Sequence, residues 1–137
     1  MKTLRNALGR MVPLLAAALL CLLPSLAAEA SDQSLQVSFK ILPDPPRSGR
    51  NTVEVSVLDG TGAPVTNAAV EVRFYMAAMP SMNMPEMAST FSTKHAGNGR
   101  YQGDGRLVMG GTWDVTVTIK RNGQQVARKR FSVQVRG

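Results

Sequence analysis

Val70-Glu71-Val72-Arg73-Phe74-Tyr75-Met76 alternates apolar and polar side chains without a break. A period of two puts Val70, Val72, Phe74 and Met76 on one face and Glu71, Arg73 and Tyr75 on the other, the pattern of a strand buried on one side. On this parity Met76 points into the core. The same alternation recurs upstream. Leu35, Val37, Phe39 and Ile41 mark a strand stopped by Pro43-Asp44-Pro45-Pro46, and Val53, Val55 and Val57 mark another, closed by the turn signal Asp59-Gly60-Thr61-Gly62-Ala63-Pro64. Downstream, Ser89–Lys94 reads as a short strand with Phe91 inward. Arg100–Met109 reads as a strand broken or bulged around Gly103-Asp104-Gly105. Trp113, Val115, Val117 and Ile119 define the next strand, and Phe131, Val133 and Val135 end the last one. Gly97-Asn98-Gly99, Gly110-Gly111 and Asn122-Gly123 supply the turns between them.

No segment carries a helical period. About seven short alternating strands separated by turn signals predict an all-β fold, an antiparallel β-sandwich of immunoglobulin-like architecture. The Cys–Trp–Cys framework of antibody domains is absent from the sequence.

Residues 1–30 stand apart from this pattern. Lys2, Arg5 and Arg10 precede an uncharged apolar run from Met11 to Leu26, and Ala28-Glu29-Ala30 is an A-x-A cleavage pattern. Together they read as a secretory signal peptide, with a retained N-terminal anchor as the alternative. Cys21 lies in the leader with Leu20 before it, where a lipoprotein would need a small residue, and reads as a bystander. Cleavage after Ala30 leaves 31–137 as one domain in the periplasm, with no membrane span in the mature chain. That domain has no cysteine, hence neither disulfide nor thiolate metal site.

Charge narrows the partners. The whole chain has 16 Lys and Arg against 9 Asp and Glu, and the leader takes away three basic residues and Glu29, leaving the domain at +5. The densest run, Arg128-Lys129-Arg130, reads as an exposed edge strand protected from sheet-to-sheet pairing, with contact to an anionic lipid or protein surface as the alternative. An exported chain with few aromatics is a poor nucleic-acid binder. Catalysis has little support: there is no cysteine nucleophile in the domain, one histidine, and no nucleophile motif. Blue-copper ligands are missing, and the acidic residues are too scattered for a Ca²⁺ site.

The chemistry-bearing stretch is Met76-Ala77-Ala78-Met79-Pro80-Ser81-Met82-Asn83-Met84-Pro85-Glu86-Met87, which holds five of the chain's eight methionines in a doubled Met-Pro-x-Met. Residues before proline favour extended backbone, so each arm reads as polyproline-like, with methionines three apart about 9 Å from each other. Metal–sulfur bonds of about 2.3 Å allow sulfurs on one ion to be at most about 4.6 Å apart. One arm therefore cannot close on an ion, whereas two arms folded together at Asn83 would. Thioethers are soft ligands that select Cu(I), carry no proton to lose, and cannot form disulfides. The candidate ligands are Met79, Met82, Met84 and Met87, for Cu(I) or Ag(I). His95 is an optional further ligand or a plain turn residue. Met109 and Trp113 read as core. Equally, methionines serve as adaptable packing or as a sticky surface for a partner without metal.

Met79-Pro80-Ser81-Met82-Asn83-Met84-Pro85, then Gly99-Arg100-Tyr101 and Gly110-Gly111-Thr112-Trp113-Asp114-Val115, resembles the YtkA-like/FixH-like group of small exported bacterial domains. The resemblance covers most of the mature chain. It implies an immunoglobulin-like fold and an association with copper handling, metal efflux or oxidase assembly, and hence an efflux-pump adaptor or an oxidase-assembly protein as partner.

Overall fold

The computed structural model describes residues 34–137; the leader, its cleavage pattern and Cys21 lie outside the described residues. Eight strands follow in order: β1 (Gln36–Leu42), β2 (Gly49–Leu58), β3 (Ala69–Met76), β4 (Met87–Ser92), β5 (Lys94–Gly97), β6 (Arg100–Leu107), β7 (Gly111–Arg121) and β8 (Gln124–Val135). One sheet has the order β1-β2-β6-β5 and the other β4-β3-β7-β8. The first matches the A-B-E-D sheet of an immunoglobulin constant domain. The second is its C-F-G sheet with one strand added beside C. The sandwich expected from the alternation is therefore present.

Its inner faces hold the residues the period selects. Val53, Val55, Val57, Val72, Phe74, Phe91, Trp113, Val115, Val117 and Ile119 are fully buried, and Met76 is 5% exposed. Phe39, Phe74 and Phe91 form a chain of aromatic contacts across the core, with centroids 6.3 and 4.7 Å apart, and Phe39 stacks on Phe131 at 5.4 Å. Asn122 (φ 52°) and Gly123 (φ 76°) form the two-residue turn from β7 to β8, and Asn98 and Gly99 repeat it between β5 and β6. Both pairs have the positive φ that a type I′ hairpin needs. β8 is an edge strand, as its polar first half predicts. A bulge at Val126 and the charges of Arg128–Arg130 interrupt that edge.

Two details differ from the sequence reading, for one physical reason. The fourth strand is two strands, because at Thr93 the chain leaves one sheet for the other, with the Thr93 hydroxyl donating to the Val70 carbonyl at 2.6 Å. And β6 is not broken at Gly103-Asp104-Gly105; its register with β2 runs through unshifted, Val53 opposite Gly103 and Asn51 opposite Gly105. The glycines are there for close approach. A side chain at 103 would overlap the Ser92 carbonyl, and one at 105 would overlap the Phe91 ring. They make room for the strand that crosses between sheets.

Candidate metal centre

The β3–β4 connection is a long hairpin that ends the sandwich. Its base is the strand pair Met76 and Met87. Further out, Met79 and Met84 form an isolated antiparallel bridge, with the Met79 N–H donating to the Met84 carbonyl at 2.8 Å and the Met84 N–H to the Met79 carbonyl at 3.1 Å. Pro80–Met82 is a single 3-10 turn, where the sequence suggests a polyproline-like arm. Proline at the first helical position fits that turn, since its missing N–H would have no partner there. Asn83 closes the turn in the left-handed conformation (φ 52°), which asparagine tolerates better than other non-glycine residues.

This geometry shortens the backbone spacing of the methionines. A 3-10 turn rises about 2.0 Å per residue, so the backbone carries Met82 about 6 Å along the axis from the N-cap Met79 rather than the 9 Å of an extended arm. Directly opposed residues of an antiparallel pair project to the same face, so Met79 and Met84 share one side, as do Met76 and Met87. The two arms are thus folded onto each other at Asn83, as the doubled motif suggests. Met82 is 63% exposed at the tip, Met84 is half-buried, and Met79 and Met87 are half-buried against the core.

A side-chain bond pins the second arm. The Tyr75 hydroxyl donates to Glu86 Oε2 at 2.8 Å. That bond, and then the negative charge of Glu86, hold the tyrosine's pKa above its ordinary 10.0. The sequence reading missed this tie: the register sets Tyr75 opposite Ala88, and Glu86 reaches it diagonally from two residues earlier in the second arm.

Met76, Ala77, Ala78 and Met79 also line an apolar hollow of about 290 Å³ whose other wall is Gly110, Gly111 and Thr112. Gly111 has φ +132°, and a Cβ there would stand 3.0 Å from the Met76 methyl and 3.9 Å from its sulfur. Read from sequence, Gly110-Gly111 is only a turn; here it also leaves room beside a methionine sulfur. Met109, at the same end, is half-buried and its carbonyl accepts from Trp113 Nε1 at 3.2 Å. Trp113 is fully buried among the core residues.

His95 is not brought to the methionines. It lies on β5, exposed, on the first sheet's edge, and pairs with Tyr101. Its Nε2 accepts from the Gly99 N–H at 3.3 Å, and its ring packs on Tyr101 with centroids 5.1 Å apart. Extended chain at about 3.3 Å per residue separates it from Met87 by on the order of 25 Å. Among the described residues, no three His, Cys, Asp or Glu side chains gather as a metal site. The soft donors at this end of the molecule are thioethers.

The sequence model of the YtkA-like family matches residues 29–118, reaching into β7 and across the whole methionine hairpin. The chain belongs to the YtkA-like family. No curated protein matches this YtkA-like domain. Among solved structures it is similar to the PmoD soluble domain from Methylocystis sp. (Rockwell), at 17% identity over 74% of this chain and 90% of that one, with a TM-score of 0.43. That likeness is too distant to bear on the site. Among the described residues, no helix of the YtkA-like domain is long and apolar enough to cross a membrane.

Proposed function

We propose that this YtkA-like domain is a non-enzymatic, exported metal-binding domain that carries or buffers Cu(I), or Ag(I), in the periplasm. The observation that supports it is the Met79–Met84 bridge, which folds the two Met-Pro-x-Met arms together around the Pro80–Met82 turn. Met79, Met82 and Met84 form the compact ligand set, and Met87 lies at the hairpin base. Soft thioethers favour a monovalent soft ion and release it without a proton step, which suits a carrier. Delivery would be to an efflux-pump adaptor or an oxidase-assembly protein.

Titration of the mature domain with Cu(I) against a chromogenic chelator tests this. The wild type should withdraw copper from the chelator, and the variant Met79→Leu/Met82→Leu/Met84→Leu/Met87→Leu should not. Equal competition by the two would remove the site.

A second reading has its own support. Met82 and Val108, 63% and 66% exposed, are both at the hairpin end, so this end presents an apolar tip. The tip would dock on an envelope partner without metal. Capture of a pump adaptor under chelation, lost on Met82→Glu, favours docking; capture that requires added copper favours the metal site.

A further inference from the structure

The outer face of the β4-β3-β7-β8 sheet holds arginines the methionine end does not use. Arg73 on β3 lies opposite Thr116 on β7, and Thr116 lies opposite Arg130 on β8, so the three form one row across the sheet. In the next row Glu71 lies opposite Thr118 and Thr118 opposite Arg128. With strands about 4.8 Å apart and alternate residues about 6.8 Å apart along a strand, Arg73 and Arg130 are about 10 Å from each other and Arg128 and Arg130 about 7 Å. Arg73, Arg128 and Arg130 surround a concavity of about 370 Å³ with Thr116 in its floor and Tyr75 and Asp114 at its wall. Arg121 donates to Asn67 at 2.8 Å, whereas among the described residues the guanidiniums of Arg73, Arg128 and Arg130 donate no such bond to a side chain. Arg73 instead lies over the Tyr75 ring, 5.4 Å from its centroid.

We propose that this face binds an extended acidic segment of a partner protein. Carboxylates at alternate positions of an extended peptide repeat at about 6.8 Å, which matches Arg128 and Arg130, and the fork of arginine suits a carboxylate. Arg73 receives a further acidic group across the groove. Asp114 in the wall and Glu71 in the next row disfavour a dense anion and leave spaced carboxylates as the better complement. A flat lipid surface meets projecting charges, not charges ringed around a depression. The site lies on the strand face, not at the hairpin tip, and does not depend on metal.

The test is fluorescence anisotropy with a labelled peptide alternating Glu and Ser, at low salt and with a metal chelator present. The wild type should bind, more weakly as salt rises. Arg73→Gln/Arg128→Gln/Arg130→Gln should lose about tenfold in affinity. Lys40→Gln/Arg50→Gln/Arg106→Gln removes the same charge from exposed positions of the other sheet and should change affinity by less than about twofold. The proposal fails if both variants lose affinity alike, if the wild type does not bind, or if phosphatidylglycerol vesicles displace the peptide and bind with the same arginine dependence.

Discussion

Phe91 lays its ring where a side chain of Gly105 would stand. The contact joins β4 of one sheet to β6 of the other at the place where the chain changes sheets. Gly105→Ala therefore overpacks the core, and about 1–3 kcal/mol of unfolding free energy should be lost. Gly103→Ala should cost more, because the obstacle is the Ser92 and Thr93 backbone rather than a ring able to tilt. Urea denaturation of the two variants checks the order; a Gly105→Ala protein less stable than Gly103→Ala would contradict it.

The hairpin tip depends on the left-handed Asn83. Asn83→Gly should leave the tip intact, whereas Asn83→Ala should strain it by about 1 kcal/mol. If the folded arms prearrange the thioethers, Asn83→Ala weakens Cu(I) binding about fivefold with every sulfur still present. Chelator competition on the two variants measures this, and identical affinities would show that the turn contributes nothing to the site.

His95 makes a sharp negative prediction. Eight residues of extended chain beyond Met87 and on the other sheet, it should be dispensable for metal: His95→Ala keeps the wild-type Cu(I) affinity within about twofold. The same variant deprives the buried Gly99 N–H of its acceptor, so stability should fall by about 1–3 kcal/mol. A large loss of copper affinity would instead place histidine in the site.

Asp59 organises the turn after β2. Its Oδ1 accepts from the Thr61 hydroxyl at 2.6 Å, the Thr61 N–H at 2.8 Å and the Ala63 N–H at 3.0 Å. The Thr61 hydroxyl first, then the two backbone donors, hold its pKa below the ordinary 3.8. A folded pKa below the unfolded one means a stabilising contribution complete above the unfolded value and lost as pH falls through the folded value. The acid side of the stability curve, below pH 3.8, should be shallower in Asp59→Asn than in the wild type. Denaturation midpoints measured down that limb give the comparison, and parallel curves would refute it.

Most of the fold was legible because alternation and Asn-Gly turns are local signals. Val70–Met76 reads as a half-buried strand on its own, and Asn122-Gly123 carries its hairpin in two residues. The split at Thr93 was not legible. A strand that changes sheets keeps its period, and the only trace is a pair of glycines on a different strand, which look like a bulge until Phe91 and Ser92 are placed against them. The candidate site was half legible. The doubled motif foretold a fold at Asn83, but not the 3-10 turn, since Pro80 is as compatible with a first helical turn as with extended chain. His95 misleads in sequence because closeness along a strand is still distance in space.

β1 begins at Gln36 opposite Leu58, and its other end, Leu42, lies opposite Thr52 on the hairpin side of the sandwich. The domain therefore has polarity: chain preceding β1 joins at one pole, and the thioethers crown the other. A label or fusion attached ahead of β1 would therefore enter at the far pole and leave the methionine hairpin uncovered.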